Sequence, residues 1–372
     1  MPSSTSSSER RLARPFDDDV VTRPVPEKPW RGLVIIAILI TCGLTLGWEA
    51  YWRANWFIPG DYKNSIGLWA DQRRAVQADS TVIIGSSRVL FGLDLDVWES
   101  QSGVRPIQLA LEGTSPTPVL ADLAADESFR GRVVIGATSG LIFSGGNYRA
   151  EVIENYKAQT PSERVDHFLS NQLEKHLAFL DDQTKPSNML IFAPFPLRKG
   201  QERFIDVRKI EIMDIDRNAE MWSRVVEDPA YAQFTKDAWA FGMDERIAEL
   251  NDPSSGEREK SDTRMAEQID LIAGYVKAIQ SRGGEAIFVR MPYEGKYIEM
   301  EQTAYPREKG WDRLLEVTGA PGVHFADYDA LQGYLLPEWS HLDAREAERF
   351  TAALYPIVEA QIDAWRAGRE PE

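Results

Sequence analysis

A chain of 372 residues with 43% hydrophobic and 10% aromatic side chains can bury a sizeable core, which excludes a disordered protein and points to one large domain with appendages. A formal charge of -16, with no clustered Lys/Arg face, excludes nucleic acid as a partner, because phosphate binding needs a basic surface. The single cysteine, Cys42, leaves no thiol elsewhere for a disulfide, a metal site or covalent chemistry.

Residues 1–31 are rich in Ser, Arg, Asp and Pro and read as a disordered tail without chemistry of its own. Gly32 to Trp48 is uncharged throughout, and at roughly 17 residues it reaches the short end of what crosses a bilayer as a helix. Residues 32–52 are therefore predicted to be one transmembrane signal anchor. Arg23, Lys28 and Arg31 precede it and only Arg53 follows closely, so the positive-inside rule places the tail in the cytoplasm and the remainder outside. Trp30, Trp48, Tyr51, Trp52 and Trp56 fit interfacial belts at the two ends. A cleaved signal peptide is the rival, disfavoured by the long, mixed-charge leading region and the absence of a small-x-small site after the apolar run.

After a linker over 53–77 the pattern becomes α/β. Ser80-Thr-Val-Ile-Ile84 is a short β-branched run, followed by apolar runs at Arg105 to Leu111 and Arg132 to Thr138, with a helix opened by Pro116 and Pro118 between them. Residues 140–262 are less regular: a Gly-rich turn at Ser144-Gly-Gly-Asn147, a helix from Ser162 to Leu180, the apolar stretch Met189 to Phe195, and a polar helical region to Leu250. They read as an insertion covering one rim of the sheet. The rhythm resumes with a helix over 262–282, strands at Glu285 to Arg290 and Val323 to Asp327, a helix near 306–318 and a final helix from Ala344 to Trp365. Strands alternating with helices at this spacing predict a three-layer α/β/α domain over 78–372 with a mainly parallel sheet.

In such a sheet ligands bind beyond the carboxyl ends of the strands. Those ends are Gly85 to Arg88, Gly113 to Ser115, Thr138 to Gly140, Arg290 to Tyr293 and Asp327 to Asp329, and Glu338 and His341 follow the last of them. A serine hydroxyl is a poor nucleophile at neutral pH and needs an imidazole to take its proton, so Ser87 and His341 form a candidate pair with Glu338 as orienter. The alternatives are an ordinary strand-to-helix turn with an N-capping serine, and a helix start capped by Asp343 or Ser340.

Taken together, these segments resemble the SGNH hydrolases, also called GDSL-type esterases, over about residues 78 to 365. Within that superfamily they are most similar to membrane-anchored SGNH-like proteins of bacterial glycan O-acetylation and teichoic-acid D-alanylation. The resemblance implies an SGNH/flavodoxin-like fold with Ser87, the second residue after Gly85, as nucleophile rather than Ser86. It also implies Gly113 and Ser87 as backbone oxyanion donors, and Glu338-Trp339-Ser340-His341 in place of Asp-x-x-His. The family's Gly-x-Asn-Asp block is absent, the third strand running instead into Gly136-Ala-Thr-Ser-Gly140. Thr138, Ser139 or Asn147 are the candidates to replace its Asn, and the sequence does not select among them.

The implied function is a membrane-anchored serine esterase or O-acyltransferase acting on a cell-surface glycan or acyl ester, located at a bacterial cytoplasmic membrane and served by a multispanning membrane acyltransferase. The alternative is a non-catalytic glycan-binding or scaffold protein of the same kind. No cofactor is implied. His167, His176 and His324 lack acidic or thiol partners at ligand spacing, so no metal is expected. Arg290 is a candidate for a carboxylated or phosphorylated substrate, with an ion pair to Asp327 as the alternative, and Arg88 reads as a surface residue. The Trp and Tyr residues of 222–239 and 293–311 are candidates for a glycan groove or for the core.

Overall fold

A computed structural model describes residues 28–185, 187–188 and 207–368. Its first three strands are β1 (Thr81–Ile84), β2 (Ile107–Gln108) and β3 (Arg132–Gly136). A separate antiparallel hairpin follows, β4 (Glu211–Met213) with β5 (Ala219–Met221), before β6 (Glu285–Arg290) and β7 (Gly322–His324). The five other strands form one sheet in the order β2-β1-β3-β6-β7, every pair parallel, with Val82 level with Ile107 and Val133, and Val133 level with Ala286.

These strands are nearly continuous β-branched runs because both faces of the sheet are covered. Ile83, Val134, Ile287 and Val289 pack on one side with Leu90 and Phe91 of the helix Ser87–Gly92 and with Phe350, Leu354 and Val358 of the helix Ala344–Ala367. Val82, Ile84, Val133, Ile135 and Phe288 point the other way. They meet Leu120 and Leu123 of the helix Thr117–Ala125, and Ile269, Ile272 and Val276 of the helix Glu257–Gln280. The expected α/β class with a parallel sheet and helices on both faces is what the chain forms.

Several boundaries differ from the sequence reading. The 53–77 segment carries the helix Ile66–Ala75, capped by Ser65, and Trp69 of that helix is fully buried with its indole N–H on the Leu109 carbonyl at 3.1 Å. Within 140–262 the hairpin β4–β5 replaces part of the expected helical region. Its turn residue Arg217 is wholly buried, donating to the carbonyls of Gln108 at 3.3 Å and Ala110 at 2.6 Å, so a guanidinium pins the hairpin to the end of β2. The helices Ser223–Glu227, Pro229–Ala240 and Met243–Asn251 follow, and the helix expected at 262 begins at Glu257. An unexpected helix, Lys296–Ala304, precedes Trp311–Thr318. The last strand stops at His324, where the imidazole Nδ1 accepts the Ala326 N–H at 3.1 Å and starts a 3-10 turn. The Met189 to Phe195 stretch lies outside the described residues.

The N-terminal apolar segment is one helix, Trp30–Arg53, with a mean hydropathy of 2.0 over its most apolar window. Its length and composition fit a membrane anchor and a signal sequence alike.

Candidate active site

The turn after β1 is shaped by glycine. Gly85 has φ +150°, and a side-chain carbon there would lie 2.5 Å from Val89 and 3.1 Å from the Gly136 backbone. A carbon at Gly136 would also strike Val89. Paired glycines at the ends of β1 and β3 thus let the helix Ser87–Gly92 settle against the sheet. Ser86 takes the capping role, its Oγ accepting the Arg88 N–H at 3.4 Å and lying 2.7 Å from Thr138 Oγ1. Ser87 is left with its hydroxyl directed elsewhere.

It meets His341. Ser87 Oγ lies 2.7 Å from His341 Nε2, and His341 Nδ1 lies 2.9 Å from Glu338 Oε1. Glu338 has no exposure to solvent and His341 almost none. The Glu338 side chain folds back on its own turn: Oε1 also accepts the backbone N–H groups of Ser340 at 3.2 Å and His341 at 2.6 Å, while Oε2 accepts the indole N–H of Trp239. Burial pushes the Glu338 carboxyl up, but the His341 charge and these hydrogen bonds outweigh it and hold it below the ordinary carboxylate range. An ionised carboxylate can only accept, so Nδ1 carries a proton, and when the imidazole is neutral Nε2 is left to accept from the Ser87 hydroxyl. Asp343, rather than Ser340, caps the following helix, accepting the Glu346 N–H at 2.9 Å.

The imidazole is held by packing as well. Phe91 lies against it at 4.7 Å between ring centres and Trp239 at 6.1 Å. Trp339 takes φ +76° in the same turn and its carbonyl accepts the Glu294 N–H at 2.8 Å.

Arg88 is not a surface residue: it is 3% exposed. Its guanidinium donates to Ser340 Oγ at 3.2 Å and to Glu301 at 2.9 Å, and lies between the rings of Tyr293 and Tyr297. Arg290 is buried beside it, bonded to the Ala137 carbonyl and paired with the same Glu301, and it does not line the cavity. Asp327, the alternative partner, instead pairs with Arg307 at 2.6 Å. Burial, with the Arg88 charge nearby, lowers the Arg290 guanidinium to about 9.

Ser87 and His341 open into a cavity of about 850 Å³ that Ser86, Gly113 and Thr138 also line. Asn147 is exposed away from it, its backbone bridged to Thr114. Ser139 is mostly buried and likewise does not line it. Of the aromatic residues considered for a groove, Trp239, Tyr297 and Tyr305 line the cavity, whereas Trp222, Tyr231 and Trp311 belong to the core. The cavity lining also carries polar residues of mixed charge, among them Lys63, Asn64, Glu112, Arg149, Lys209 and Glu211. Burial and the adjacent Glu112 carboxylate push the Glu211 carboxyl well above its ordinary range. Among the described residues no group of His, Cys, Asp and Glu is arranged to hold a metal ion.

Sequence reasoning named Trp239 only among groove or core aromatics and missed its contact with Glu338, the burial of Arg88 and the charged part of the cavity lining. Trp239 had a faint signal as one of several aromatics in a helical stretch; its contact with Glu338 depends on tertiary structure alone. Comparison with protein-family models finds no match to this chain, and comparison with curated proteins finds none.

Proposed function

We propose that this chain is a membrane-anchored serine esterase or O-acyltransferase of the SGNH type, acting on a bacterial cell-surface glycan through an acyl-serine intermediate. The observation that carries the reading is the continuous relay Ser87–His341–Glu338, at 2.7 and 2.9 Å, opening into one cavity. The strand order β2-β1-β3-β6-β7 also suits an SGNH/flavodoxin-like sheet.

In this reading Ser87 Oγ attacks an ester carbonyl as its proton passes to His341 Nε2, and Glu338 stabilises the imidazolium. The backbone N–H groups of Ser87 and Gly113 receive the developing oxyanion, with the Thr138 hydroxyl as the side-chain candidate beside them. Collapse of the tetrahedral intermediate breaks the ester bond, and the leaving alkoxide takes the proton from His341. Water or a sugar hydroxyl then repeats the sequence on the acyl-serine, giving hydrolysis or transfer. The helix Trp30–Arg53 is read as an uncleaved anchor with the catalytic domain outside the cytoplasmic membrane, where a multispanning acyltransferase would supply the acyl group.

A non-catalytic binding or scaffold role is favoured by one feature: Thr138, which stands where the family carries its oxyanion-donor Asn, has its hydroxyl engaged with Ser86 Oγ. Hydrolysis of p-nitrophenyl acetate by the full chain in detergent separates the two. The esterase reading expects turnover that disappears in Ser87→Ala; absence of turnover and of any acetyl-enzyme with the fold intact would favour the scaffold reading.

A further inference from the structure

The helix Pro161–Glu174 has its faces reversed. Val165, Phe168, Leu169 and Leu173, spaced i, i+3, i+4 and i+8 along one face, are 58%, 61%, 55% and 53% exposed. The opposite face is polar and buried: Asn171 is 9% exposed and Glu174 4%. That polar face is satisfied against the helix Ile66–Ala75 and the segment before it. His167 Nε2 lies 3.0 Å from Asp71 Oδ2, and Glu174 accepts the Lys63 N–H at 3.1 Å. Gly67 leaves room for the His167 ring, which a side-chain carbon there would overlap. A helix that buries its polar side and presents four large apolar side chains outward is built to meet an apolar phase.

The chain's connectivity indicates which one. Arg53, the last residue of the bilayer-length helix, donates to the His176 carbonyl at 3.0 Å, and the Gly60 N–H donates to the Glu174 carbonyl at 2.9 Å. The end of the reversed helix is therefore tied on both sides to the segment that follows the apolar run. Only five residues follow Trp48 up to Arg53, about 7.5 Å of helix, so chain connectivity alone keeps Arg53 near the end of the apolar run, at headgroup depth if that run spans the bilayer. His176 and the end of the reversed helix must lie near the same level. Tyr51, Trp56 and Ile58, in the same stretch of chain, are exposed as well, and aromatic residues favour that depth.

We infer that the helix Pro161–Glu174 lies in the surface of the membrane that holds the anchor, with Val165, Phe168, Leu169 and Leu173 immersed at the boundary between headgroups and acyl chains. This rests on the reading of Trp30–Arg53 as an uncleaved anchor, and it is independent of the serine chemistry.

The test uses the full chain reconstituted in phosphatidylcholine–phosphatidylglycerol vesicles, carrying one environment-sensitive fluorophore on cysteine. Label on the native Cys42 reports whether the anchor spans the bilayer. In a Cys42→Ser background, labels at Phe168→Cys and at Arg164→Cys, on another face, report the reversed helix. The inference expects blue-shifted emission at position 168, quenched by lipids spin-labelled in the upper acyl chain and protected from iodide, with position 164 open to iodide and little quenched by lipid. Equal iodide access at 168 and 164 would overturn it. Protection at 168 without lipid quenching would overturn it too, assigning the stripe to protein, whether another segment of this chain or a second copy. A Cys42 label unquenched by lipid would instead remove the anchor reading on which it stands.

Discussion

Arg88 Nε donates to Ser340 Oγ at 3.2 Å, joining the residue that follows Ser87 to the residue that precedes His341. The same guanidinium reaches Glu301, which also pairs with Arg290 at the end of β6. One buried ionic cluster thus ties together the turn after β1, the loop carrying His341 and the helix Lys296–Ala304. Arg290 keeps the Glu301 charge paired in Arg88→Ala, so the expected loss in urea unfolding is that of the buried acceptors on Ser340 and Glu301 left short of a donor, about 1–3 kcal/mol. Under conditions where the variant remains folded, loosening of Ser87 against His341 should lower turnover by about 10²-fold. Wild-type turnover in Arg88→Ala would show that the relay is positioned without it.

The three relay residues should not be equivalent. Ser87→Ala and His341→Ala each remove a proton-transfer partner and should lower acyl-transfer rates by about 10⁴-fold or more, with unchanged circular dichroism. Glu338→Ala removes only the orienter and should leave measurable activity, because Phe91 and Trp239 still flank the imidazole. Steady-state kinetics of the three purified variants check the order.

Trp239 gives Glu338 a partner on the oxygen that His341 does not use. Trp239→Phe keeps an aromatic ring but deletes the indole N–H, leaving a buried carboxylate oxygen short of a donor, at an expected cost of about 1–3 kcal/mol. The Glu338 carboxyl lies below its ordinary value of 4.5 in the folded chain, so its contribution is present above that value and is lost as pH falls through the folded pKa. Losing the Trp239 bond raises the folded pKa, and acid unfolding of Trp239→Phe should begin at higher pH than in wild type.

His324 is displaced in the same direction. Burial, aided by Arg290 and Arg307, pushes its imidazole down from 6.5 to about 4, and its Nδ1 already accepts the Ala326 N–H. The unfolded chain therefore binds the proton first: stability from this group is complete above about pH 6.5 and declines as pH falls toward 4, by on the order of 3 kcal/mol. His324→Gln should flatten the stability profile across that window, measured by denaturant unfolding at several pH values.

The sequence made some of this legible for physical reasons. β1, β3 and β6 are buried on both faces, so they had to be β-branched runs, and the turn after β1 had to be glycine because Val89 and the Gly136 backbone occupy the space of a side chain. Ser87, Glu338 and His341 were legible as neighbours because each follows a strand of one parallel sheet, and they come within hydrogen-bonding distance. The hairpin β4–β5 was hidden: Glu-Ile-Met and Ala-Glu-Met carry no strand signal, and what fixes them is Arg217 reaching carbonyls near β2. Arg88 misled for the same reason, since a charge next to a turn serine reads as solvated until Glu301, Tyr293 and Tyr297 close around it. The reversed helix Pro161–Glu174 was visible as a helix, but which face it buries is decided by Asp71, Lys63 and Gly67 in another segment.

Whether His341 activates Ser87 is read most directly by labelling the full chain with a fluorophosphonate, followed by mass spectrometry of the modified peptide. A single adduct is expected on Ser87, absent in Ser87→Ala and steeply reduced in His341→Ala. An adduct on another serine, or labelling of Ser87 at an undiminished rate in His341→Ala, would contradict activation of Ser87 by His341.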